Sequence, residues 1–517
     1  MAAIITDQFR ILSAKNFVSA ASSSDNSYYV FVGLPNSIEY SATWDTNPPS
    51  PKDSFDEENS YWDTAIALKK ISPENIKQVV RKITWSSGTT YDMYRHDITR
   101  TNTSKPSGAT SLYAANYYVV NSDYRVYICL QNGTNPENPE GRPSLDEPTF
   151  TDLEPRSAGT SGDGYIWKYL YTITPSDIIK FETSNFIPVP KNWETNDSDS
   201  AVRNNASTSG QIKIVAITHR GVGIGTANTT YTRVPIKGDG NNAEATIVIN
   251  NNSKVESITI SNGGSGYTYG TVDLVAGNVP TGTTTPVFDV IIPPKGGHGS
   301  DIYRELGANK AVLYTRIEND TQNPDFITGN QISRVGVVEN PLSYGSNAIL
   351  TEDKASAVYA VKLVGAGHSS ATFVADALIS QTVGVASTAV GRVISYDQNT
   401  GVLKYWQDRT LVGFNTDTTK DTTPIYGFNL NRFTSSPGVG GTTLVQGGSI
   451  NLSIDSNFTG LSTSINSRTY YFGQNFISGV SNPEVKKYSG NIIHVDNRPS
   501  VTRSSSQKED IKVILQF

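Results

Sequence analysis

Apolar residues recur along this chain in short runs, often at alternate positions, and each run is cut off by Gly, Pro, Asn or Asp. That is the pattern of strands joined by turns. YYVFVG from Tyr28 to Gly33 reads as a buried strand closed by Gly-Leu-Pro. YYVVN from Tyr117 and RVYICLQ from Arg125 flank Ser122-Asp123 and read as a hairpin, with Cys129 as a small apolar filler inside it. After Gly162-Asp163-Gly164 comes YIWKYLYTIT, where Tyr165, Trp167, Tyr169 and Tyr171 alternate with Ile166, Leu170 and Thr172. Bulk on both faces predicts a central strand. QISRVGVV is halted by Asn340-Pro341, AVGRVISYD and GVLKYWQ form a hairpin about Gln398–Gly401, and DIKVILQF is too apolar to leave unpaired at the chain end. Helical spacing is rarer. Asp7 to Ser22 places Phe9, Leu12, Phe17 and Val18 near one face, and the pattern between Trp62 and Lys82 turns helical twice, with Ser72-Pro73-Glu74 as a start signal.

Polar stretches divide these runs. Asn132 to Ser161, with PENPEGRP at its middle, predicts a long surface loop with few packed residues. NDSDSAVRNNASTSG is too polar to bury anything and marks a boundary near Gly210. Beyond it, Val215–Ile217 leading to Gly221-Val-Gly223 is echoed by Ile258–Ile260 leading to Gly264-Ser-Gly266, a weak duplication. The expected organisation is a core part at 1–200 with short helices, an inserted β domain at 205–297, core again at 298–351, a second inserted β domain at 352–485, and a C-terminal core strand segment at 486–517. The fold class is mainly β and multi-domain, with sandwich or barrel-like domains and a few short helices.

Composition sharpens this picture. Ser, Thr and Asn make up roughly 29% of 517 residues, and these side chains compete with helical backbone bonds. With 42 basic and 48 acidic side chains the net charge is −6 and no long basic run exists, which argues against nucleic acid as a partner. The single cysteine, Cys129, cannot form an internal disulfide. MAAIITDQFRIL lacks the layout of a signal peptide, and no window has the apolar length of a membrane span, so a soluble, unexported chain is expected.

Catalytic and cofactor chemistry finds little support. The histidines at 96, 219, 298, 368 and 494 have no metal-ligand spacing to one another or to cysteine. His298 in GGHG and His368 in GAGH are read as turn residues, and neither is given a catalytic role. There is no G-x-S-x-G elbow and no P-loop. The clusters at Gly221–Gly225 and Gly263–Gly266 lie between strands and are read as turns. The acidic run Asp53–Glu58 lacks a calcium-loop pattern and is read as solvated loop. No catalytic, metal or cofactor residues are assigned, and the chain is expected not to be an enzyme. Asn497-Arg498-Pro499 offers a guanidinium beside a rigid turn, suited to fixing the chain end on carbonyls or a carboxylate.

Several ordered stretches resemble one family, the baseplate wedge proteins of the gene product 8 type from T-even-like contractile-tailed bacteriophages. They are MAAIITDQFRILSAKNF, YYVFVG, YWDTAIALKKISPENIKQVV, GDGYIWKYLYTITPSD, Ile187–Pro190, IYRELGANKAVLYTRIE, QISRVGVVENPL and IIHVDNRPSVTRSSSQKEDIKVILQF. The residues singled out within them are Gly162, Asp163, Gly164, Tyr165, Trp167, Tyr169, Asn340, Pro341, Asn497, Arg498 and Pro499. The chain is longer than the T-even form, with the excess in roughly 200–297 and 352–485, and its polar texture looks like related proteins of cyanobacterial myoviruses. The resemblance implies an elongated structural virion protein, made in the host cytoplasm and built into the tail baseplate. It implies a homodimer that docks onto other wedge proteins, with no membrane partner and no cofactor. The alternative from another class is a carbohydrate-binding or carbohydrate-cleaving tail appendage, prompted by the Gly-rich β repeats and the supply of Tyr and Trp.

Overall fold

A computed structural model describes residues 5–35, 43–195, 200–206, 208–322, 324–384, 387–407, 443–446 and 450–517. The protein is mainly β; five short α-helices occur among the described residues, and the strand registers there run antiparallel, with an isolated parallel bridge from Thr84 to Val120. The chain forms two compact units, one of residues 1–19, 76–313 and 513–517, the other of residues 20–75 and 314–512. Each is therefore assembled from segments far apart in sequence.

The first unit is organised around a three-stranded sheet in which Arg125–Asn132 lies between Tyr118–Val120 and Tyr165–Thr172. Its side chains are large and dry: Tyr117, Tyr127, Cys129, Tyr165, Trp167 and Tyr171 are fully buried in one hydrophobic cluster. A second sheet in this unit orders Val255–Ser265, Asn241–Ile249, Thr230–Gly238 and Gly270–Val272, beside a two-stranded pairing of Ile214–His219 with Val287–Ile291. Strict alternation along Asn241–Ile249 buries Ala243, Ala245, Ile247 and Ile249, and these close a separate hydrophobic cluster drawn from residues 212–292. The two echoed segments fall on unlike strands there, the first on Ile214–His219 and the second on Val255–Ser265.

In the second unit a five-stranded sheet runs Lys354–Ser356, Ala65–Lys70, Tyr28–Gly33, Gln331–Glu339 and Asn491–Thr502. A seven-stranded sheet is built from strands between Tyr359 and Ser481 and includes the hairpin Ser387–Asp397 with Val402–Trp406. Residues 408–442, inside the stretch expected as a second insertion, lie outside the described residues. The terminal strand, Lys508–Gln516, pairs with Lys310–Glu318, as its apolar sequence requires.

Several local expectations are corrected. The helix Asp7–Ala21 buries Ile11, Ala14, Val18 and Ala21, while Phe9 and Leu12 are exposed. The helical reading of 62–82 holds only to Thr64: Ala65–Lys70 is a strand, Pro73–Asn75 a single 3-10 turn, and Ile76–Arg81 a strand. Pairing with Tyr28–Gly33 claims the first run, and the β-branched residues of IKQVV favour the second. The acidic run at 53–58 opens a helix: Ser54 caps Phe55–Thr64, its hydroxyl accepting from the Glu57 amide. Ser200–Asn205, inside the supposed linker, is a helical turn whose Val202 is buried. Tyr165–Thr172 is buried on both faces yet stands at the edge of its sheet, where an isolated bridge joins Trp167 to Arg156.

Candidate functional site

The aromatic strand begins at a turn that only glycine can make. Gly162 and Gly164 have φ near +71° and +84°, and a Cβ on Gly164 would lie 2.8 Å from the Cα of Gly133. Between them the Asp163 carboxylate accepts from the amides of Tyr165 (3.0 Å) and Leu145 (2.9 Å), which sets the strand's first residue and holds the long loop against it. Tyr165 stacks on Trp167 with ring centres 5.3 Å apart, and Tyr91 meets the same indole edge-on at 5.9 Å. The Tyr165 hydroxyl donates to the Arg142 carbonyl (2.7 Å) and accepts from the Tyr91 amide (2.9 Å). Burial pushes this phenol well above its ordinary pKa, so it stays protonated and can do both. Tyr169 packs 5.8 Å from Tyr127 and shares a 2.8 Å hydrogen bond with Thr172.

The loop Asn132–Ser161 is far better held than its composition suggests. Side chains from the sheet and its neighbours reach it in sequence: Trp85 donates to the Ser144 hydroxyl (3.1 Å), Asn121 to the Pro148 carbonyl (2.8 Å), Tyr127 to the Phe150 carbonyl (2.6 Å) and Lys168 to the Leu153 carbonyl (2.7 Å). Ser144 is fully buried, and Phe150 and Leu153 pack on the aromatic core. Glu137 near the loop's tip meets the Arg220 fork at 2.7 and 2.8 Å, and the same guanidinium caps the carbonyls of Val255 and Glu256. As its composition predicts, the loop lies at the surface and buries few residues, only Asn132, Gly133, Ser144 and Pro148 among 132–161; hydrogen bonds from Trp85, Asn121, Tyr127 and Lys168 nevertheless fix it from beneath.

The remaining motif residues lie in the second unit. Asn340, with φ near +50°, accepts from the Ser27 amide (2.7 Å) and donates to Asn26 (3.1 Å), ending the strand at Glu339; the Pro341 carbonyl accepts from Leu350 (2.8 Å). Asn497-Arg498-Pro499 sits within the edge strand Asn491–Thr502, where a proline costs no ladder bond, rather than at a turn. Arg498 is exposed and pairs with Asp496 at 2.7 Å. Its neighbour Asn497 accepts from the buried Arg334 (2.8 Å) and donates to the Pro49 carbonyl (2.9 Å). Arg334 also donates to Thr64 (2.9 Å) and lies 4.6 Å over the Tyr61 ring.

The histidines serve local structure. His96 accepts from the Ile292 amide (3.2 Å), and burial lowers its pKa. His219 accepts from Gly221 (3.1 Å), and His368 lies 3.3 Å from the Gly365 carbonyl in an exposed turn. His298 is buried against Glu305 (2.6 Å) and meets Tyr94 edge-on. His494 lies in the edge strand Asn491–Thr502, and burial lowers its pKa. Among the described residues no three His, Cys, Asp or Glu side chains gather as metal ligands, and no helix is long and apolar enough to cross a membrane. Sequence spacing gave no sign of Arg334, of Asp92, or of Lys168 beside Asn205, because their partners are remote along the chain.

No family model matches the chain. It is similar to the "Baseplate wedge protein gp8" of Enterobacteria phage T4, 26% identical over 211 residues, which cover 36% of this chain. The chain spans about 60% of the length of that relative.

Proposed function

We propose that this protein is a structural virion subunit, a baseplate wedge component that dimerises and docks onto other wedge proteins in a contractile phage tail. The single observation that carries the reading is the similarity to the T4 baseplate wedge protein. The GDG turn, the aromatic strand and the pinned loop Asn132–Ser161 agree with a subunit that works by shape, because a docking face loses less entropy on binding when its loops are already held. On this reading the protein has no catalytic activity, and its location is the tail baseplate. The stretches 205–297 and 352–485 are modules added to a shared core, and their own role lies in contacts outside that core. A permanent contact of this kind buries upwards of ~1,600 Å² in total. The test is light scattering on the full chain, followed by mixing with candidate wedge subunits. A dimer that forms a defined complex supports the reading. A chain that stays monomeric at micromolar concentration and joins no wedge subunit refutes it.

A further inference from the structure

Lys168, on the aromatic strand, is 2% exposed, and its Nζ donates to the Asn205 Oδ1 at 2.9 Å as well as to the Leu153 carbonyl. The other side of the same amide is also engaged: Asn205 Nδ2 donates to Glu154 Oε1 at 2.8 Å. Lysine, carboxamide and carboxylate thus form one continuous line, with the amine against the carbonyl oxygen and the acid against the nitrogen. We propose that Lys168 and Asn205 join in an intramolecular isopeptide bond, with ammonia as the leaving group and Glu154 serving the departing nitrogen.

The chemistry needs a neutral amine, an amide held beside it and a proton for the leaving group. Desolvation brings the Lys168 pKa down to about 8, so a usable fraction of the amine is neutral near neutral pH. A neutral amine keeps two N–H bonds, enough to hold the Leu153 carbonyl, and frees a lone pair for the amide carbon. Attack forms the Nζ–Cγ bond, and collapse breaks the Cγ–Nδ2 bond. Starting from the ammonium, Nζ gives up two protons; Nδ2 takes one through Glu154 and leaves as ammonia, which takes the other in solution. No oxidant or reductant is involved. Glu154 is exposed and paired through its other oxygen with Lys213 at 3.1 Å, and the Asn205 hydrogen bond holds its carboxyl below the usual range, so it acts as a carboxylate that relays a proton between water and the departing nitrogen. Lys168 and Asn205 also line a cavity of about 10 Å³ with Thr208 and His298, close to the room one ammonia molecule needs. The bond would tie the strand Tyr165–Thr172 to the helical turn Ser200–Asn205, both in the first unit.

The test is the intact mass of the full chain after incubation at about pH 8, with tandem mass spectrometry of a digest. The expected result is a loss of about 17 Da and a branched peptide joining Lys168 to Asn205. The variant Glu154→Gln, at an exposed position, should keep the far-ultraviolet circular dichroism of the parent yet form the link at least tenfold more slowly. A parent chain that retains its full sequence mass overturns the proposal. So does a gain of about 1 Da at Asn205, which marks hydrolysis rather than transfer to lysine.

Discussion

Asp92 in the first unit and Asp325 in the second are both removed from water, and their surroundings differ in kind. Asp92 accepts from the Ser104 hydroxyl and the Ser107 amide on one oxygen, and from the Asn116 amide (2.6 Å) on the other. Loop backbone folds around it, and the charge anchors the loop. Among the described residues no donor reaches either oxygen of Asp325. Lys404, which would neutralise it, donates instead to the carbonyls of Pro324 and Phe472. Desolvation pushes the Asp325 carboxyl up to about 6 and Glu484 to about 7, and it pulls Lys404 down to about 8. Burial alone does not decide what a carboxylate does to a fold; the count of donors aimed at it does.

The sharpest way to break this comparison is in the aromatic core. Trp167→Ala should cost about 3–5 kcal/mol, because a fully buried indole stacked on Tyr165 leaves a cavity that a rigid sheet cannot close. An unchanged melting temperature would show that this core is looser than its packing. Asp92→Ala should cost about 3 kcal/mol, since three donors lose a charged acceptor at once, whereas Asp325→Ala at pH 7 should be neutral or stabilising. Denaturant titrations of the two variants showing equal losses would erase the distinction.

A smaller effect is expected from protons. Asp325 has a folded-state pKa above its unfolded value near 4, so as pH rises from about 4 the unfolded chain gives up its proton first. The stability present below pH 4 is then lost as pH climbs through about 6, and Glu484 extends the same trend to about 7. Asp325→Asn should shrink the fall in unfolding free energy between pH 4 and 7 by roughly 1–2 kcal/mol. Parallel curves for parent and variant would remove Asp325 from the account. Smallest of all, Glu137→Ala should change stability by less than ~1 kcal/mol, because its pair with Arg220 is well exposed on the acid's side. A larger loss in a thermal melt would mean that the loop tip carries more of the unit's stability than its exposure implies.

Much of the strand content was readable from the residues. The hairpin about Ser122-Asp123, the hairpin about Gln398–Gly401, the stop at Asn340-Pro341 and the paired chain end all rest on alternation plus turn chemistry, and those signals are local. The helical reading of 62–82 failed because alanine and leucine suit either element and the neighbouring strand chose between them. The spacing of Phe9, Leu12, Phe17 and Val18 marked one helical face, yet Phe9 and Leu12 are exposed and the buried positions are Ile11, Ala14, Val18 and Ala21. Arg498 meets a carboxylate as its sequence suggested, that of Asp496 on the same strand face, while Asn497 on the other face links to Arg334 and the Pro49 carbonyl.

What the amino-acid order determined by itself is the mainly β class of the chain and much of its punctuation: alternating strands, turns and glycines at positive φ. Those follow from sterics and periodicity within a few residues, which need no knowledge of the rest of the molecule. Only the tertiary structure decided which faces are dry, that Asp92 has three donors and Asp325, among the described residues, none, and that Lys168, Asn205 and Glu154 share one line of hydrogen bonds. Desolvation and donor geometry are properties of surfaces brought together from distant segments, and no window of sequence contains both sides.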